Sequence, residues 1–306
     1  MRIAVSSGRG RRGNILKCLR ELEGEIRRSL TGYNEILIKP NMVSAFRQLS
    51  ATHVESIDAV LSFLRELKPA ATIVIGEIPA VGSFEEGCRN YGYEVLKEKY
   101  DVKLECLEGW PDLKVRIFNK DLSTFRIPVV NPEGWYIVSV SPPKTHDTVL
   151  VTLSLKNIAM GLVKKTWKSK VHQGYEAINL NLYRLSRFVR ANLAVIDGYE
   201  AMEGDGPVNG DPVPWGVSIV GLNPVIVDAA VSWLMGVNPW DVGYLYYALT
   251  FEHPNLSIED LITLIGKAKN LRRELRLHRT SRSQYMWRLN GVVYERTKAV
   301  LLDGKP

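Results

Sequence analysis

Short runs rich in Val and Ile alternate with helical stripes along much of this chain, and that alternation leaves few folds open. "RIAVS" (2–6), "EILIKPN" (35–41), "TIVIGE" (72–77), "VKLECLE" (102–108), "WYIVSV" (135–140), "VLVTLSL" (149–155), "NLAVIDG" (192–198) and "GVSIVG" (216–221) read as strands. Between the first of these, Ile15, Leu16, Leu19, Leu22 and Ile26 recur at helical spacing, as do Val54, Ile57, Val60, Leu61, Leu64 and Leu67. Thr52 stands where the second stripe needs an N-cap. A further helical region falls near 84–99, and "PVIVDAAVSWLMG" (224–236) reads as a buried helix ended by Gly236. Strands that alternate with helices imply right-handed crossovers. The fold class expected is α/β, with a mainly parallel sheet and helices on both faces.

Beyond about 256 the pattern stops. "LRRELRLHRTSRSQYMWRL" is strongly basic and carries no strand–helix alternation. The expected division is an α/β domain over 1–255, either one body or two sub-lobes meeting near 130–160, and a basic C-terminal helical appendage over 256–306. "DGYEAMEGDGPVNGDP" (197–212) reads as a Gly-rich acidic loop, either structural or a lid, and it lacks the ligand spacing of a calcium loop.

Composition narrows the class. No run approaches the roughly 18 apolar residues of a membrane span, and the apolar part of "MRIAVSSGRGRRG" is too short for a secretory signal. The expected location is the cytoplasm. Cys18, Cys88 and Cys106 are far apart, so neither a zinc site nor an iron–sulfur cluster can be built from them. They read as small buried hydrophobes. Few glutamines beside many Arg and Lys point to a thermophile. The net charge of +7 suits a protein that handles anionic metabolites as well as one that binds nucleic acid. The basic run Lys164, Lys165, Lys168 and Lys170 around Trp167 is short for a nucleic-acid tract and reads as a solvated or anion-steering loop. The phosphate motifs GxxxxGKS/T and GxGxxG are absent, and the sequence names no cofactor and no oligomeric state.

In open parallel sheets, ligands bind beyond the carboxyl ends of the strands. The residues delivered there are Lys39 and Asn41, then Glu77, then Lys144, Thr145 and His146, and finally Asp197 with Glu203 in the loop that follows. The alternative is that strand ends are polar because they meet solvent. His146 suits acid–base work, or it satisfies a backbone carbonyl. Lys156, followed by Asn157, ends an apolar stretch able to bury its stem and lower its pKa, as in lysines that serve as bases or nucleophiles. The other reading of Lys156 is a snorkelling lysine at a helix start. His172, in "KSKVHQGYE", has positive neighbours that disfavour its protonation and leave it available as a base or metal ligand.

"ILIKPNMVS", "THVESIDAVLSFLRE", "IVIGEIPAVGSFEE", "PPKTHDTVLVTLSLKNIAMGLV", "AVIDGYEAMEGDGPVNGDP" and "LNPVIVDAAVSWLMG" together resemble, in that order, the prokaryotic domain-of-unknown-function family 362, over about 33–242. Many of its members add a ferredoxin-type domain, for which this chain has too few cysteines. The spacing of His146, Lys156 and His172 is also similar to that of the nickel-pincer lactate racemase family. That resemblance implies acid–base work for His146, cofactor attachment for Lys156 and nickel ligation for His172. It departs at "IGEIPAVGS", which lacks the second histidine of that family.

The functional expectation is an enzyme acting on a small anionic metabolite. Lys39 and Lys144 would anchor the anion, with His146 and Lys156 doing acid–base or covalent work and Asp197 at the same pocket. The alternative is a non-catalytic carrier of a metal-containing or anionic cofactor, and the second alternative a nucleic-acid binder using the basic C-terminal region.

Overall fold

The computed structural model describes residues 2–304. Its strands are β1 (Ile3–Ser7), β2 (Glu35–Pro40), β3 (Thr72–Glu77), β4 (Lys103–Cys106), β5 (Asp112–Phe118), β6 (Thr124–Val130), β7 (Tyr136–Ser141), β8 (Lys144–His146), β9 (Leu150–Thr152), β10 (Leu193–Glu203) and β11 (Asp211–Gly221). The main sheet runs β1-β11-β10-β7-β2-β3-β4. From β10 to β4 every pairing is parallel, while β11 is antiparallel to both its neighbours. The chain moves outward from β2 through β3 to β4 and then returns to β7 on the other side of β2. That reversal makes a switch point, where the strand ends leave a crevice.

The alternation of side chains along each strand builds two cores. Ile36 and Ile38 of β2, Ile73 and Ile75 of β3, and Val138 and Val140 of β7 face one layer, with Ile15, Leu19, Val60 and Leu64 from the helices Gly10–Glu21 and Val54–Leu67. Leu37, Val74 and Ile137 face the other, under the helices Ser154–Gly161, Gly174–Phe188 and Pro224–Leu234. With both faces covered, strands stay apolar throughout, which is why they stood out in the sequence. The C-terminal helices Ile258–Ile265 and Gly291–Leu302 lie on this second side, where Leu261, Trp287 and Leu301 join the core.

Four expectations need correction. The strand expected over 149–155 ends at Thr152, and a helix begins at Ser154. The helix starts there because the buried Asp228 carboxylate accepts the Ser154 N–H at 2.9 Å and the Leu155 N–H at 2.8 Å. The acidic loop is mostly strand. β10 and β11 pair from Ala194↔Gly221 to Glu203↔Asp211, leaving only 204–210 as a turn. The hairpin β5–β6 was not anticipated, although Val115 and Ile117 alternate with charged residues in "DLKVRIF". Finally, His53 rather than Thr52 caps the helix Val54–Leu67. The Thr52 hydroxyl accepts the Asn41 N–H at 2.8 Å and donates to the Val140 carbonyl at 2.6 Å, tying the end of β2 to that of β7.

Asp228→Ala should strand two buried helix N–H groups and cost about 3 kcal/mol. Asp228→Asn, which keeps one acceptor, should cost about 1 kcal/mol. Urea unfolding midpoints of the three proteins check the order.

Candidate functional site

Asn41, Glu77, His146, Lys156, Asn157 and His172, six of the residues singled out in the sequence, line one cavity of about 250 Å³ at the switch point. Beneath it lies a buried polar network. The Lys39 ammonium, at 0% exposure, pairs with Glu77 and donates to the Pro40 carbonyl at 2.8 Å and to Asn157 Oδ1 at 3.3 Å. Asn157 Nδ2 donates to the Lys39 carbonyl at 3.2 Å and to Ser139 Oγ at 3.1 Å. Asn41 Nδ2 reaches Asn157 Oδ1 at 3.2 Å. Glu77 is fixed by the Ile78 N–H at 2.8 Å and the Met42 N–H at 3.2 Å. Burial pushes the Lys39 pKa down and the Glu77 pKa up, each opposed by the partner's charge. Gly161 lets the helix lie close over this pair, since a Cβ there would collide with the Lys39 ammonium.

Lys39 and Lys144 were expected to anchor an anion, and the structure corrects both. Neither borders the cavity. Lys39 is committed to Glu77, and Lys144 donates to Asn41 Oδ1 and to the Ser50 carbonyl at 2.9 Å. They support the floor from below. Thr145 is structural too. Its hydroxyl donates to the Gly204 carbonyl at 3.0 Å, while Gly206 lies so close that a Cβ would meet the Thr145 carbonyl. That contact seats the 204–210 turn and brings Pro207 to the cavity wall.

Asp197 was expected at the same pocket and is not there. It is buried under the Arg11 guanidinium at 2.7 Å and the Ser56 hydroxyl at 2.5 Å, which consume its charge. Glu203 pairs with Arg276 and accepts the Arg276 N–H at 2.9 Å, also away from the cavity.

His146 is 2% exposed. Its Nδ1 accepts the Thr148 N–H at 3.0 Å, and a neutral ring that keeps this bond carries its proton on Nε2. Burial and the Lys156 charge push its pKa down to about 3, opposed by Asp147, whose carboxylate lies 3.0 Å from Nδ1. The ring is therefore neutral near pH 7. His172 stands at the mouth, exposed. Desolvation of its ring and then Lys156 lower its pKa, an effect that its access to solvent moderates. No three His, Cys, Asp or Glu side chains among the described residues are placed to share a metal ion, so His172 gains no fellow ligands.

Lys156 occupies the first turn of the helix Ser154–Gly161 and is 7% exposed. It lines the cavity, and its ammonium has no hydrogen-bond partner among the described residues. Burial pushes its pKa down to about 8, with Asp147 opposing. Lys168 reaches the same cavity from the basic loop, donating to the Met160 carbonyl, and burial of its ammonium lowers its pKa to about 8 as well.

Sequence reasoning missed Asp147, Asp228 and the part played by Lys168. A lone acid inside the apolar run "PVIVDAAV" was the available signal for Asp228. Gln284 was missed as well. It accepts the Leu150 N–H and donates to the His146 carbonyl at 2.8 Å, while Thr280 donates to the Asp147 carbonyl at 2.6 Å. Nothing in a local pattern marks such long-range bonds.

A mainly parallel, doubly covered sheet with a lysine-lined cavity at its switch point defines the chain as an α/β protein. The chain belongs to the family described as Domain of unknown function (DUF362), whose profile it matches over residues 36–233. It is also 22% identical over 213 residues to a protein of Synechocystis sp. named as thylakoid-associated. The match covers 67% of this chain and 64% of the relative's length. No helix among the described residues is long and apolar enough to cross a membrane.

Proposed function

We propose that the protein is an enzyme acting on a small anionic metabolite held at the carboxyl ends of β2, β3 and β7, with Lys156 as the reactive amine. The observation that carries this reading is the contrast among its lysines. Lys39 and Lys144 are buried and fully engaged by protein acceptors. Lys156 is nearly as buried, faces the cavity and has no such acceptor. Its ammonium is not among the sealed, unpartnered polar atoms, so it opens onto the cavity, where a ligand can meet it. Lys156 and Lys168 line the cavity together with Asp147 and Glu77, and Glu77 is already paired with Lys39, which leaves the site with an excess of positive charge. That balance favours a negative ligand. The cavity of about 250 Å³ suits a molecule of a few carbons. Neutral His146 offers its Nε2–H to a substrate oxygen.

Amine-reagent labelling tests the reading. With its pKa at about 8, Lys156 should label well ahead of the exposed Lys97 at pH 7, because surface lysines near pKa 10.4 remain protonated there. Its rate should rise with pH as the neutral amine forms and level off above about 8. Small carboxylates should protect Lys156. Equal rates at Lys156 and Lys97 would end this reading.

A further inference from the structure

The cavity holds more than an anion site, because the group facing it is an amine that forms no salt bridge among the described residues and feels only the charge of Asp147. We infer that Lys156 forms a Schiff base with a small 2-oxo carboxylate, whose carboxylate group is held by Lys168. This rests on the reading of the site proposed above and names its substrate class. Three features point to carbonyl chemistry. Lys156 projects from the first turn of a helix whose start is pinned by Asp228, so the amine is held on a rigid element. A second cation, Lys168, lines the same small cavity and separates the two tasks of attack and anchoring. His146, held by its Nδ1 on the Thr148 N–H, keeps an Nε2–H available for the carbonyl oxygen.

The step balances without an oxidant or reductant. The Lys156 nitrogen lone pair attacks the carbonyl carbon, the C=O π pair moves to oxygen, and that oxygen takes a proton from the attacking amine to give a carbinolamine. Lys168 then donates a proton to the hydroxyl, which leaves as water while the nitrogen lone pair forms the C=N bond. The nitrogen proton returns to Lys168 if the imine is released neutral. The net change is amine plus carbonyl to imine plus water.

The experiment is borohydride trapping with pyruvate and 2-oxobutyrate, read by intact mass and peptide mapping. Acetate and lactate serve as carboxylates without a carbonyl, and acetone as a carbonyl without a carboxylate. The expected result is one adduct per chain on Lys156 with either 2-oxo acid. Acetone should give an adduct at least tenfold more slowly, and Lys156→Ala should give none. Lys168→Met should slow trapping of 2-oxo acids and acetone alike, because the proton donor is lost, and should erase the preference for 2-oxo acids over acetone, because the anchor is lost with it. An adduct on another lysine, or equal rates with acetone and pyruvate, would overturn the inference. If acetate protects Lys156 from amine labelling but neither 2-oxo acid is trapped, the carbonyl assignment fails and the anion site stands. If nothing protects Lys156, both fall.

Discussion

Lys156→Met should yield a protein that folds at least as well as the parent and binds small carboxylates about a hundredfold more weakly. The two effects have one cause. An amine at 7% exposure without a hydrogen-bond partner weakens the fold when charged, and an apolar side chain of similar length removes that penalty. The gain should be about 1 to 3 kcal/mol at pH 7. Its pH dependence follows from the direction of the shift. A pKa lowered to about 8 means the folded chain binds the proton less tightly than the unfolded one. The folded state is therefore penalised as pH falls from the unfolded value of about 10.4 towards 8, and the penalty is constant below. The advantage of Lys156→Met should be full at pH 7 and vanish near pH 10.5. Urea unfolding at several pH values, with calorimetric titration of acetate, reads both effects. A variant that is less stable at pH 7 yet binds acetate normally would make Lys156 an ordinary structural lysine.

Glu77→Ala should have the largest effect on stability, about 3 to 5 kcal/mol, a large part of what holds a typical domain together. It leaves the Lys39 ammonium, at 0% exposure, with only the Pro40 carbonyl and Asn157 Oδ1. Lys39→Met with Glu77→Gln should recover most of the loss, because both charges leave the interior together. Unfolding midpoints of Lys39→Met, Glu77→Gln and the pair, beside the parent, give the coupling energy. A cost for Glu77→Ala under about 1 kcal/mol would mean that the pair is hydrated.

The sheet was legible because both its faces are buried. "EILIK" and "TIVIG" are continuous apolar runs, and their helices carry clear stripes. The hairpin β5–β6 escaped notice because Lys114, Arg116 and Arg126 break its apolar pattern. The acidic segment misled for another reason. Gly198, Gly204, Gly206 and Gly210 suggest a loop, yet backbone pairing with β11 overrides composition up to Glu203. At the site, strand-end logic gathered Asn41, Glu77 and His146, because topology alone decides where strand ends meet. It could not foresee which charges were already taken. Lys39 and Lys156 look alike in sequence, and only the structure shows that Glu77 pairs with the first and not with the second. Asp197 failed for the same reason, through Arg11 and Ser56.

The turn that carries His146 and Asp147 is gripped from residues 280 and 284, far beyond the 36–233 span that defines the family. The backbone that carries the imidazole is thus held by a part of the chain outside the span that the family profile matches. A relative can keep every cavity residue and still present its histidine at another angle, simply by replacing the segment that holds the turn. A change at Thr280 or Gln284 acts on this turn with no substitution in the pocket. Sorting these proteins by their cavity residues alone leaves that support out of view.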